Sequence, residues 1–135
     1  MIVKDLNLIR RDIRISVNNR YIKAKAETSD IIWFDFFEIC DGPRSSHDYV
    51  EIARCYHTVF LSNIPIFKNS DEEQARRFIS LIDELYDHKV NFIMSSEDNI
   101  NNLYQGTDLK FPFKRTISRL IEMQSKEYLS KSHII

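Results

Sequence analysis

Glycine is nearly missing from this chain: Gly42 and Gly106 are the two glycines among 135 residues, where about 7% is usual. A phosphate-binding loop of the form Gly-x4-Gly-Lys-Ser/Thr needs bare backbone amides to wrap phosphate, with the lysine and hydroxyl reaching phosphate and magnesium. Five residues after Gly42 stands His47, and five after Gly106 stands Phe111. Neither glycine opens such a loop, so nucleotide hydrolysis by this chain alone is not expected. Long apolar runs are also missing. Stretches such as Val59-Phe60-Leu61 fall far short of the roughly 18 residues a membrane span needs, and the opening Met-Ile-Val-Lys-Asp has no signal-peptide core. There is no excess of either charge sign: 19 Lys and Arg face 20 Asp and Glu, a net charge of -1. No global basic field therefore draws the chain to nucleic acid or to an anionic membrane. Cysteine is limited to Cys40 and Cys55, which read as buried thiols in a reducing, cytoplasmic setting.

What is present suffices for one core. With 43% hydrophobic residues, a chain of this length reads as a single domain, 1–135. Residues 1–11 have helix-like spacing at Ile2, Leu6 and Ile9 without a cap, and read as a weak helix or a ragged end. From Asp12 the period becomes two: Ile13, Ile15 and Val17, then Asn18-Asn19, then Ile22, Ala24 and Ala26. This pattern predicts a β-hairpin. Its polar face carries Arg14, Arg20, Lys23 and Lys25, which suit phosphate or an acidic partner, or a solvated sheet face. Ile31 to Phe37 predicts a buried strand running into a short helix, with Trp33 anchored in the core.

After Asp41-Gly42-Pro43, Ser45 or Ser46 can cap a helix through Tyr49, Val50, Ile52 and Ala53, with Asp48 favouring its positive end. His57 to Pro65 predicts a buried strand that a proline stops. Ser70 and Glu73 form a capping-box pattern ahead of Ala75, Phe78, Ile79, Ile82, Leu85 and Tyr86, a helix running to about His88. Val90 to Ser95 is another strand, so residues 58–95 make a strand-helix-strand unit with a parallel crossover. A short helix follows around Ile100 to Tyr104. A last helix carries Phe113, Ile117, Leu120, Ile121, Gln124 and Tyr128 on one stripe.

These residues resemble a known family. The string from Cys40 to Arg54, Cys-Asp-Gly-Pro-Arg-Ser-Ser-His-Asp-Tyr-Val-Glu-Ile-Ala-Arg, is similar to the C-terminal half of the ZapE and AFG-like, AAA-type P-loop ATPases. The likeness continues through His57-Thr58-Val59, Ala75-Arg76-Arg77-Phe78-Ile79, Ile82 to Asp87, Phe113 to Thr116 and Ser118 to Gln124. It covers most of residues 12–131 in the family's order. The resemblance implies an α/β fold, a partial P-loop-type three-layer module built from hairpin, strand-helix-strand unit and C-terminal helix. It also implies ATP and Mg as cofactors, provided an upstream segment supplies Walker A and Walker B. The upstream half or a homo-oligomer is the implied partner, with division-ring or quality-control proteins beyond it.

A C-terminal sensor arginine or a neighbour's arginine finger can stabilise charge on a transferring phosphoryl group. Arg77, Arg115 and Arg119 are the candidates, and the competing reading pairs such arginines with Glu73, Asp83 or Glu122 at the surface. Arg44 and Asp48 either form an ion pair that fixes their loop or present Arg44 to a partner. Cys40, His47, Cys55 and His57 are separated by seven, eight and two residues, which does not reproduce paired zinc ligands, so no metal site is expected. Ser45, His47 and Asp48 crowd one turn and lack relay geometry for hydrolysis. The strand ends Leu61-Ser62-Asn63 and Met94-Ser95-Ser96 are loosely similar to Walker B and sensor 1 strand ends, but no acidic pair follows Leu61. The leading expectation is a module that completes an ATPase, and the alternative is a stand-alone protein-interaction module. Lacking its upstream half, the former should leave an unpaired edge or an exposed apolar face at strands such as His57 to Asn63 or Val90 to Ser95.

Overall fold

The computed structural model describes residues 8–135. Most of the weak helix considered for residues 1–11 lies outside the described residues, and Arg10 is already in a strand. Strands β1 (Arg10–Val17) and β2 (Arg20–Glu27) pair antiparallel, with Ile13 opposite Ala24 and Ile15 opposite Ile22. Asn18 and Asn19 turn the hairpin with φ of 49° and 67°. Two successive left-handed residues make the turn whose twist matches that of the flanking strands, and asparagine tolerates that conformation. With glycine so scarce, Asp12, Asn63 and Lys89 also take left-handed φ.

Strand β3 (Ile31–Asp35) lies between β2 and β4 (Thr58–Ile64), and β5 (Asn91–Ser96) follows, giving one five-stranded sheet in the order β1-β2-β3-β4-β5. β3, β4 and β5 run parallel. The helices are α1 (Phe36–Ile39), α2 (Ser46–Cys55), α3 (Glu72–Asp87), α4 (Lys110–Glu122) and α5 (Lys126–Leu129). The fold is α/β with a mixed sheet, as the resemblance implied.

The two parallel connections, β3 to β4 and β4 to β5, step across the sheet in the same direction. Right-handed crossovers then place both linking helices on one face. Burial follows that geometry: Ile32, Phe34, Val59 and Leu61 are at most 1% exposed and join the helices' apolar residues in one cluster. A chain of rings, Phe36, Phe67, Phe78 and Phe113, fills the space between sheet and helices with centroid separations of 5.6 to 6.1 Å along the chain. α3 packs against both α2 and α4.

Four local expectations are corrected. Trp33 is not a core anchor: its strand position points it to the face opposite the helices, where it is 37% exposed and donates Nε1–H to Ser62 Oγ at 3.0 Å. Ser70 and Glu73 do not cap α3. A 3₁₀ turn, Asn69–Asp71, precedes it, and Asp71 instead accepts from the Lys68 amide at 3.0 Å. The last helix is two, because the chain breaks after Glu122 and Ser125 caps α5 by accepting from the Tyr128 amide; Ile121 points to solvent at 54% exposure. Both cysteines are free thiols, but Cys55 is exposed, since it ends α2 on that helix's outer side, and only Cys40 is buried.

Candidate functional site

In parallel α/β sheets, ligands gather at the carboxyl ends of the strands, where the loops into the next helices converge. Here those ends are Asp35, Ile64 and Ser96. Asn63 reaches from β4 to Asp35, Nδ2 to Oδ1 at 2.6 Å, and its own amide donates to Ser95 Oγ at 3.1 Å. The three strand ends are thus tied together by uncharged donors around one carboxylate. Among the described residues no group of three His, Cys, Asp or Glu side chains could hold a metal, so magnesium would need ligands from elsewhere.

Arg77 lies in the second turn of α3, the helix that leaves β4 at this end of the sheet. It makes no ion pair among the described residues, and its charge acts on the buried Cys40 and Tyr49 groups beneath it. Burial pushes both of those groups above their ordinary values, while Arg77 opposes the rise. Arg115 and Arg119 lie elsewhere. Both donate to Asp83, Arg115 at 3.2 Å, and Arg119 also stacks its guanidinium 4.8 Å from the Tyr86 ring centroid. Asp83 is six residues beyond Arg77 along α3, about 9 Å at 1.5 Å per residue and roughly 120° around the helix. Arg115 and Arg119 thus gather on one carboxylate, on a different side of α3 from Arg77. Arg76 approaches Glu73 at 4.0 Å on the exposed side of α3.

The Gly42–Ser46 loop is built by long-range contacts. Arg44 and Asp48 do not pair. Arg44 turns back to the Glu38 carbonyl at 2.9 Å, and Asp48, 1% exposed, accepts from Arg20 Nη1 at 2.9 Å and Asn18 Nδ2 at 3.2 Å. Arg20 also donates to the Pro43 carbonyl at 2.8 Å. Asp48 sits in the first turn of α2 and accepts from the Ser45 amide at 3.0 Å, so one carboxylate caps the helix and holds the hairpin tip. Gly42 takes φ of 74° here, a conformation glycine adopts without strain. The rest of the basic hairpin face is also engaged. Lys25 lies 5.2 Å from the Trp33 ring centroid, and Arg14, Lys23 and Lys25 line an open groove of about 450 Å³ opposite Asp12, Asp35 and Glu38.

The sequence model of the family described as AFG1-like ATPase matches residues 5–132. The chain belongs to the AFG1-like ATPase family. "Cell division protein ZapE" of Escherichia coli strain K12 is 39% identical over 120 residues, covering 89% of this chain and 32% of that protein. "Lactation elevated protein 1 homolog B" of Danio rerio is 29% identical over 154 residues, covering 90% of this chain and 31% of that protein. The chain spans about a third of the length of these AFG1-like relatives. No solved structure matches it. Among the described residues no helix is long and apolar enough to cross a membrane.

Proposed function

We propose that this chain is the sheet-bearing module of an AFG1-like ATPase, acting on ATP and Mg only together with a region that carries Walker A and Walker B. The observation that carries this reading is the family match over residues 5–132 in a chain whose two glycines cannot open a phosphate loop. By itself the module hydrolyses nothing. Its contribution is an arginine and the frame that holds it.

Arg77 is the arginine we assign to the developing negative charge on the transferring phosphoryl group. It lies toward the carboxyl ends of the parallel strands, and no carboxylate among the described residues neutralises it. Arg115 and Arg119 share Asp83, so bringing either to phosphate would first require separating an ion pair. Arg44 is held by the Glu38 carbonyl and is the residue of its loop that we assign to contact a protein partner. Asp48 serves that loop from inside. The name of the E. coli relative places that protein in cell division, and we extend that to this chain: its partners are proteins of the division ring or of protein quality control, met in the cytoplasm.

ATP turnover tests the reading in two forms of the protein: the chain alone, and a chimera in which it replaces the matching third of E. coli ZapE. The chain alone should be silent and the chimera active. Arg77→Ala should lower chimera turnover by at least tenfold, since arginines that stabilise transferring phosphoryl groups contribute 10³ to 10⁵. Full turnover by Arg77→Ala, with loss in Arg119→Ala, would move the role to the Asp83 pair. A stable chain whose chimera never turns over ATP would favour a stand-alone interaction module.

A further inference from the structure

The two edges of the sheet are not alike. β1 carries Arg10, Arg11, Asp12 and Arg14, the charged protection that keeps an edge from pairing further. β5 reads Asn-Phe-Ile-Met-Ser-Ser, with no charge and no proline, and it is the other edge among the described residues. The Asn91 amide donates back to the His57 carbonyl at 2.7 Å. Alternation along a parallel ladder then turns the Phe92 and Met94 amides outward.

The face opposite the helices is bare at the same side. Trp33, Phe60 and Ile93 are register partners across β3, β4 and β5, so they form one apolar row. Trp33 is 37% and Ile93 49% exposed. Two shallow grooves of about 200 and 180 Å³ flank the row and share Trp33 and Phe60. No charged side chain lines the second groove. Ile9, near the start of the described chain, lines the first, so the backbone enters the module beside this face.

We propose that the β5 edge and the Trp33–Phe60–Ile93 face are the docking surface for the nucleotide-binding region of an AFG1-like ATPase, which adds a strand to β5 and packs apolar side chains on the row. The inference deepens the function proposed above and rests on it. Three observations select this occupant. The AFG1-like relatives extend well beyond the matched third, so a large region is available to cover the surface. The chain enters beside the surface. Apart from Lys25 over Trp33 and Glu27 in the first groove, the row is apolar, which suits packing against a parallel α/β unit.

Amide exchange and thiol labelling, read by peptide-level mass spectrometry, test the proposal on the isolated chain and on the ZapE chimera. In the isolated chain the outward Phe92 and Met94 amides should exchange fast, ahead of the β5 amides bonded to β4, and Ile93→Lys should leave the melting temperature unchanged. Protected Phe92 and Met94 amides in a monomeric chain, or loss of folding in Ile93→Lys, would show that the surface is already covered and overturn the proposal. In the chimera, exchange of the Phe92 and Met94 amides and maleimide labelling of Ile93→Cys should both slow at least tenfold. ATP turnover without that protection would sink the docking surface and leave the functional reading intact, whereas protection without turnover would do the reverse. Protection produced by concentration in the isolated chain, with a dimer at equilibrium, would assign the surface to a second copy and also overturn the proposal.

Discussion

Removing the Asp48 carboxylate should be among the most damaging changes outside the apolar core. Asp48 is 1% exposed and accepts from Arg20, Asn18 and the Ser45 amide. Breaking a fully buried ion pair by deleting one partner costs about 3–5 kcal/mol, mostly because a charge is stranded. Here the stranded partner would be Arg20, whose side chain is 44% exposed, so water recovers much of its solvation and the pair term shrinks to about 1–2 kcal/mol. Loss of the helix cap adds about 1 kcal/mol. Asp48→Ala should therefore cost about 2–3 kcal/mol, and for a domain of this size lower the melting temperature by about 6–12 °C. Asp48→Asn, which keeps the shape and one acceptor, should lose about half as much. Urea unfolding of Asp48→Ala, Arg20→Ala and the double variant gives the coupling directly, expected at about 1 kcal/mol or more. An Asp48→Ala chain within 0.5 kcal/mol of the parent, or single-variant losses that simply add, would refute the clamp between hairpin and helix.

A Cβ built on Gly106 would collide with Glu72 Oε1 and lie 2.6 Å from the Tyr104 hydroxyl, so Gly106→Ala should cost about 1–3 kcal/mol in urea unfolding. Cys55 should react with an aromatic disulfide reagent within minutes in the native chain and Cys40 only after unfolding, which stopped-time thiol titration reads as one fast thiol and then two. Burial raises the hydroxyls of Tyr49 and Tyr128, and burial with the Glu27 hydrogen bond raises that of Tyr56, above the ordinary value of 10.0. Above about pH 10 the unfolded chain then binds fewer protons than the folded one, so stability falls as pH rises. Alkaline thermal melts should show a steep drop there, and Tyr56→Phe should make it shallower.

How much of this could be read in advance depended on the range of each interaction. The hairpin was legible because period two and Asn18-Asn19 are local signals, and α3 because its apolar stripe repeats over 16 residues. In the Ile31–Phe37 run the strand leading into a short helix was legible but the facing of Trp33 was not, since a continuous apolar string does not tell which strand residues face the helices and which face the uncovered side. Asp48 carried no sign of its partner, because Arg20 lies 28 residues away and nearby Arg44 was the obvious cation. The cap of α3 moved to Asp71 because a 3₁₀ turn shifted the helix start past Ser70 and made Asp71, not Ser70, the residue that closes the turn onto the Lys68 amide. As for the candidate site, residue type alone could name arginines, but only the packing of α4 on α3 gave Arg115 and Arg119 to Asp83 and left Arg77 apart.

Nucleotide binding by the purified chain alone tests the central claim most directly, using a fluorescent ATP analogue with magnesium titrated into the millimolar range. The account predicts no saturable signal, with binding returning when the chain is joined to a region carrying a Walker A loop. Saturable, magnesium-dependent binding accompanied by phosphate release from the chain by itself would contradict it.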